Sequence, residues 1–346
     1  MEMLYNRGGD VNLCNNYGAS PLYVASQEGH TTILEILFDG GGDVNLCDKD
    51  GASPLYIASY YGHKNCVDFL LKKAVDVNKC NNNGASPLYV ASEKGHTTIL
   101  EMLYNKGGDV NLCLTNGAAS PLYIASYNGH KGCVEFLLNK VVEVNKCDNN
   151  GFSPLFVASV AGHSIILDML YNRGGDVNLC NKDGVSPLCI ASYKGHTDCV
   201  AFLLSKGAKV NKCNNGVPLL FDAYNGVSPL YVASEKGYTT ILEMLYNKGG
   251  DVNLCNRNSA SPLYIASCNG HKACVDFLLD KGVDVNKCDN NGISPIYVAS
   301  EKGHTTILEM LYNKGGDVNL CNKDGTSPLY IATSNGRQDC VDFLLN

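Results

Sequence analysis

The chain has 346 residues, of which 45% are apolar and 18% charged, and its formal net charge is −7. This composition is typical of a folded protein and excludes a charge-rich disordered chain. It also argues against a protein that follows a nucleic-acid backbone, because no run of lysine or arginine is longer than a pair. The apolar runs are far shorter than the ~20 residues of a membrane helix, so no membrane segment is predicted.

The first six residues match residues 100–105, which lie within a recurring sequence unit. The chain therefore begins inside a unit, and it ends inside another at residues 340–346. Polar terminal units, which usually close a repeat array, are absent at both ends. We expect the chain to be a fragment of a longer protein or the product of an incomplete gene model.

Length alone suggests two or three domains, but the repeated sequence indicates a single repeat array instead. Ser-Pro-Leu or Ser-Pro-Ile occurs ten times, and the prolines are 33 residues apart except for one interval of 34 and one of 42. We predict a single solenoid over residues 1–346. Its segments are a partial repeat at 1–17, full repeats at 18–50, 51–83, 84–117, 118–150, 151–183, 184–225 (with a loop insertion at 214–225), 226–258, 259–291 and 292–324, and a truncated repeat at 325–346.

Residues 84–116 illustrate one unit. Ser86 and Pro87 begin a first helix, since serine caps free amides and proline fits the first helical position. Gly95 ends this helix, Thr97–Leu103 forms a second one, and Gly107 ends that. An extended arm and a tight turn follow. Helices this short bury their apolar sides only against neighbouring units, which predicts a regular stack.

The phrases Gly-x-Ser-Pro-Leu-Tyr-x-Ala-Ser-x-x-Gly-His and Gly-x-Asp-Val-Asn, at this spacing, closely resemble the ankyrin repeat. The resemblance implies an all-α repeat solenoid of about ten stacked ankyrin repeats, each a helix–turn–helix with a β-hairpin loop. The family consensus has Thr-Pro-Leu-His, so its threonine–histidine hydrogen bond is lost or replaced here. Ala74 and Val141 stand where a helix-ending glycine is usual, which should loosen two turns.

The seventeen cysteines are predicted to be free thiols. Fifteen of them follow the repeat, and equivalent positions in stacked helix pairs lie ~8–10 Å apart, beyond the ~7 Å that a disulfide spans. A reducing, cytoplasmic location follows as an expectation, with the nucleus as the alternative.

Histidine and cysteine also raise the question of metal binding. Four histidines have a cysteine three residues later, but a structural zinc site needs four converging ligands. We therefore predict no metal, no cofactor and no catalytic residue. These pairs are His63/Cys66, His130/Cys133, His196/Cys199 and His271/Cys274.

Two further features have alternative interpretations. The insertion is either a duplication remnant or a contact loop with the apolar residues Leu219, Leu220, Phe221 and Tyr224. Asn111 and Asn319 are predicted hairpin residues that bond local backbone. By resemblance to the family, with leucine eight residues earlier, they are also candidate substrates of an asparaginyl hydroxylase.

The resemblance implies a non-catalytic scaffold that binds a partner protein, of unknown identity, in a concave groove formed by hairpin tips and first helices. The alternatives are a targeting or regulatory arm of a larger enzyme, channel or ubiquitin-ligase adaptor, and a structural spacer. Tyrosine offers a large contact area at low entropic cost, so it provides the best candidate anchors. The predicted groove residues precede the Gly-His phrases or their equivalents: Tyr60, Tyr61, Glu93, Lys94, Tyr127, Asn128, Tyr193, Lys194, Glu235, Lys236, Glu301 and Lys302.

Overall fold

The computed structural model describes residues 8–212 and 226–346. The chain divides into two compact units, Met1–Asp176 (unit 1) and Val177–Asn346 (unit 2). Twenty helices occur in the described residues, which confirms the all-α repeat fold. In this described part, every helix is too short to cross a bilayer.

Unit 1 contains five helix pairs, each a first helix followed by a second helix. They are α1 (Pro21–Gln27), α2 (Thr31–Asp39), α3 (Pro54–Tyr61), α4 (Lys64–Leu70), α5 (Pro87–Lys94), α6 (Thr97–Asn105), α7 (Pro121–Asn128), α8 (Lys131–Leu138), α9 (Pro154–Ala161) and α10 (Ser164–Tyr171).

Unit 2 also contains five such pairs. They are α11 (Pro187–Lys194), α12 (Thr197–Ser205), α13 (Pro229–Lys236), α14 (Thr239–Asn247), α15 (Pro262–Cys268), α16 (Lys272–Asp280), α17 (Pro295–Lys302), α18 (Thr305–Asn313), α19 (Pro328–Ser334) and α20 (Gln338–Leu345).

The predicted start of each first helix is confirmed at the level of single hydrogen bonds. The Ser86 hydroxyl accepts from the Tyr89 backbone N–H at 3.1 Å, and Pro87 occupies the first helical position. The serine satisfies one of the amides that a helix start leaves free. The same cap begins every first helix from α1 to α19 among the described residues.

Within each unit, first helices pack on first helices and second helices pack on second helices. The apolar side chains between them are fully covered, as Leu88, Leu100 and Leu103 show with 0% exposure. Burying one such side chain contributes ~1.5–3 kcal/mol. Because this cover comes from the neighbouring pair, each repeat depends on the next one for its stability.

The β-hairpin of the prediction is not confirmed, since the described residues between helices contain turns and no strand. In unit 1, neighbouring turn tips are joined by one backbone bond each, such as Asn82 N–H to Asp50 O at 2.9 Å and Thr115 N–H to Asn83 O at 3.0 Å. A strand ladder needs a series of such bonds along the chain. These arms are too short to form one.

At the two positions without glycine, Ala74 and Val141, the backbone bond after the second helix differs from that at Gly107. Gly107 adopts φ +91°, and the Gly108 N–H then donates back to Leu103 O at 2.9 Å. At Ala74 no left-handed residue occurs, and Val75 N–H donates to Lys73 O instead. Helix α4 accordingly ends at Leu70.

From the sequence, the extra residue of the 34-residue interval is expected at Ala118 or Ala119, but the structure places it in the turn tip, at residues 115–117. Ala119 is buried and its carbonyl accepts from Leu114 N–H, so it keeps the place of Ala85. Ala118 keeps the place of Gly84 and is held at φ +55°. An L-residue other than glycine is strained in that conformation.

Ala118→Gly should therefore stabilise the protein by about 1 kcal/mol, because glycine adopts positive φ without a steric penalty. The midpoint of urea unfolding measures the change. Ala119→Gly is the control and should destabilise, since Ala119 packs in the interior. A loss of stability at position 118 would show that the turn is not strained.

Candidate functional site

The twelve predicted groove residues all lie in the last turn of first helices, namely α3, α5, α7, α11, α13 and α17. We call this set the helix-end surface and describe it separately for each unit. Within each unit, the first helices of neighbouring repeats pack side by side. Residues at equivalent positions of these helices therefore form a row along the unit.

Tyr60 and Tyr61 form an aromatic pair at the end of α3. Their ring centroids are 5.0 Å apart in an edge-to-face arrangement, and the Tyr61 ring stacks on the His63 ring at 6.2 Å. Tyr61 is 49% exposed, whereas Tyr60 is half-buried. The pair therefore presents one rigid exposed ring supported by a second ring.

Lys94 covers the Tyr60 ring from the next repeat. Its Nζ lies 4.4 Å from the ring centroid and 3.2 Å from the Glu93 carboxylate. Burial opposes the charge of Lys94, but hydrogen bonds to Tyr60 and Glu93 and the charge of Glu93 outweigh it and raise the pKa of Lys94. The ammonium is thus held in place by an aromatic ring and a carboxylate.

Unit 2 repeats this arrangement. Lys236 Nζ lies 4.4 Å from the centroid of the Tyr193 ring and 3.1 Å from the Glu235 carboxylate. Glu235 itself is only 9% exposed. Its carboxylate therefore orients Lys236 and presents little surface of its own. In α17, Lys302 pairs with Glu301 at 3.5 Å.

The backbone beneath the helix-end surface is fixed by the Gly-His histidines. The His130 Nε2–H donates to Glu93 O at 2.9 Å, and Asn128 Nδ2 donates to the same carbonyl at 2.9 Å. In unit 2, His271 donates to Glu235 O at 2.8 Å. Each of these histidines thus ties the start of a second helix to the end of the first helix in the preceding repeat, and this preorganises the surface.

The family's threonine–histidine bond is replaced by a bond between repeats. The Tyr23 hydroxyl donates to Asp48 Oδ2 at 2.9 Å, and Asn81 Nδ2 donates to the Tyr56 hydroxyl at 3.2 Å. Burial, with Glu93 nearby, raises the pKa of Tyr56 to about 12. The tyrosine of one repeat therefore stays protonated and anchors the turn tip of the next.

The histidine and cysteine positions do not converge on an ion site. His63 Nε2–H donates to Gln27 O at 2.8 Å, while Cys66 Sγ shares a hydrogen bond with Thr31 Oγ1 at 3.4 Å. Within residues 8–212 and 226–346 there is no group of three or more potential metal ligands. The described cysteines are free thiols.

Burial sets the chemistry of these thiols. It raises the pKa of Cys133 and Cys274, and it raises the pKa of Cys199 to about 11. A thiol with a raised pKa carries little of the thiolate that attacks an electrophile. These buried cysteines therefore act as small apolar side chains.

The Asp-Val-Asn asparagines join neighbouring turns. Asn78 Nδ2 donates to Gly107 O at 3.0 Å, and its Oδ1 accepts from the Asp109 N–H at 2.8 Å. Asn111 donates to Val141 O at 3.0 Å. This is its only side-chain bond among the described residues.

The two candidates for hydroxylation differ in their surroundings. Asn111 is half-buried and bonded to the next turn, whereas Asn319 is exposed. Hydroxylation of these asparagines stays a prediction. Leu219, Leu220, Phe221 and Tyr224 of the insertion lie outside the described residues.

Sequence reasoning missed a cluster of aromatic residues on the second helices with lysines that follow those helices. The Phe38 and Phe69 rings meet edge to face at 5.7 Å, with Lys73 Nζ 4.2 Å and 4.7 Å from their centroids. The same trio recurs as Tyr104, Phe136 and Lys140 in unit 1 and as Tyr246, Phe277 and Lys281 in unit 2. A phenylalanine four residues before a lysine in alternate repeats was the available signal.

Comparison with known families agrees with the geometry. A family model described as ankyrin repeats (3 copies) matches residues 22–113, 106–179, 166–254, 213–289 and 263–346. Comparison with curated protein sequences gave no significant match.

Proposed function

Because the chain belongs to the ankyrin-repeat family, we propose that it is a non-catalytic scaffold that binds a partner protein through the helix-end surface. Ankyrin repeats generally mediate protein–protein interaction, and their fold is typically non-catalytic. The observation that carries the proposal is the pair of exposed tyrosines, Tyr61 at 49% and Tyr127 at 46%, on helices whose ends are fixed by histidine bonds.

Rigid aromatic side chains favour binding because little conformational freedom is lost when they are covered. His96 donates to Tyr60 O and His163 donates to Tyr127 O, both at 3.1 Å. These bonds hold the backbone of Tyr60 and Tyr127 in position in the protein without a partner. The free thiols of the described cysteines support the matching proposal of a reducing location, in the cytoplasm or alternatively the nucleus.

A combined Tyr60→Ala, Tyr61→Ala and Tyr127→Ala variant should lose at least about tenfold in partner affinity, since exposed aromatic anchors carry most interface energy. The partner is first recovered with the wild-type chain, and titration calorimetry then measures its dissociation constant. Tyr312→Ala is the matched control, because Tyr312 is 53% exposed but lies on the second helix α18.

Unchanged affinity of the triple variant would exclude the helix-end tyrosines as anchors. Recovery of no specific partner would favour the structural spacer instead. The targeting or regulatory arm of a larger protein is the other alternative, and it uses the same surface.

A further inference from the structure

In two consecutive repeats of unit 1 the first helices carry no charged residue, and the turn tips before them carry only Asp148. Residues 114–130 and 149–163 contain no aspartate, glutamate, lysine or arginine. The corresponding segments of the other repeats in unit 1 carry charges, such as Glu28, Lys49 and Lys94. The Asp148 Oδ1 atom accepts from the Asn150 and Phe152 backbone N–H groups at 2.9 Å and 2.8 Å, and its Oδ2 atom accepts from the Tyr123 hydroxyl at 3.5 Å. Both oxygens of this carboxylate are therefore engaged within the protein.

Tyr127 lies in this uncharged region and lacks the cover that its equivalents have. Tyr60 is covered by Lys94 and Tyr193 by Lys236, each at 4.4 Å, and both tyrosines are half-buried. After Tyr127 the corresponding lysine position is Ala161. Consistent with this, Tyr127 is 46% exposed.

The residue that would pair with such a lysine is also replaced by an apolar one. Val160 stands where Glu93 pairs with Lys94. Both members of the ion pair are therefore replaced, the glutamate by Val160 and the lysine by Ala161, so this position carries neither charge.

The turn tip that precedes helix α9 carries an aromatic residue, Phe152. Phe152 stacks on Phe156 with centroids 4.9 Å apart, and it is half-buried. In an earlier repeat the equivalent positions are Ala85 and Tyr89, and Tyr60 packs against the cluster that contains them. By this equivalence, Phe152 belongs to the same surface as Tyr127. We call Tyr127, Phe152, Val160 and Ala161 the uncharged step.

We propose that the uncharged step binds an uncharged aromatic or aliphatic segment of the partner protein. A charged partner side chain would lose its hydration here without gaining an opposite charge, whereas an apolar side chain gains from being covered. The inference rests on the proposed function, because it names the chemistry that one part of the helix-end surface recognises.

The test uses a random peptide library displayed on phage, selected against the full chain. Enriched peptides should be rich in aromatic and aliphatic residues and poor in charge. Their affinity, measured by fluorescence anisotropy, should fall at least about tenfold in the double variant Val160→Glu, Ala161→Lys. That variant installs an ion pair that α5 already tolerates, so it should fold. The control Tyr312→Ala, on the second helix α18 and outside the helix-end surface, should leave the affinity unchanged.

Enrichment of charged peptides, or full affinity of the Val160→Glu, Ala161→Lys variant, would overturn the inference. If those peptides still lose affinity when Tyr60 and Tyr61 are replaced by alanine, the proposed function is retained and only the inference about the uncharged step is wrong. Peptides that are insensitive to both sets of changes, or no enriched peptide at all, would count against both.

Discussion

Tyr231→Ala should lower the free energy of unfolding of unit 2 by about 3–5 kcal/mol, the usual cost of removing a fully buried aromatic ring. Tyr231 is 0% exposed and is the largest fully buried side chain among the described residues. Its hydroxyl accepts from Asn256 Nδ2 at 3.2 Å. Alanine would remove both the packed ring and this bond.

Tyr231→Phe separates the two contributions. It keeps the ring but leaves the Asn256 amide nitrogen without this partner, and Asn256 is only 7% exposed. The expected loss is about 1–3 kcal/mol. Urea unfolding followed by circular dichroism, with hydrogen exchange to localise the change, measures both variants.

Tyr330→Ala is the matched control. Tyr330 holds the same position of the Ser-Pro-Leu-Tyr phrase but is 64% exposed. Its replacement should change stability by no more than about 0.5 kcal/mol. Equal losses at positions 231 and 330 would show that burial of the ring is not the source of the stability.

The sequence predicted the helices well because their signals are local. Serine, proline and glycine act within one turn of the helix they begin or end, and the predicted starts at Pro87 and Thr97 are the observed ones. The altered helix end at Ala74 was likewise predictable from a single residue. The position of the extra residue, in the turn tip at 115–117, could not be predicted from a single residue, since it depends on Ala119 remaining buried.

The exposed fraction of each side chain in the helix-end surface could be predicted less well than the helices. Helices α5 and α13 have the same eight residues, yet Glu93 is half-buried whereas Glu235 is 9% exposed. Local sequence cannot distinguish them, because burial depends on what the neighbouring segments cover. The cover of Tyr60 by Lys94 was missed for the same reason, as the two residues are separated by a whole repeat.

Gly95→Ala should destabilise unit 1 by about 2–4 kcal/mol, because it adds a steric clash to an unfavourable backbone conformation. Gly95 ends α5 at φ +78°, and a Cβ atom there would lie 2.6 Å from His130 Nδ1. The imidazole would have to move, and its hydrogen bond to Glu93 O would be lost. The link between two repeats depends on that bond.

Gly107→Ala isolates the contribution of the clash. Gly107 has φ +91°, but a Cβ atom there would meet nothing within 4 Å. Only the backbone penalty of about 1–2 kcal/mol then remains. Urea midpoints of the two variants, compared with the wild-type chain, give the difference. A loss at Gly107 as large as that at Gly95 would show that backbone strain alone makes these glycines necessary. A larger loss at Gly95 would assign the excess to the histidine that joins one repeat to the next.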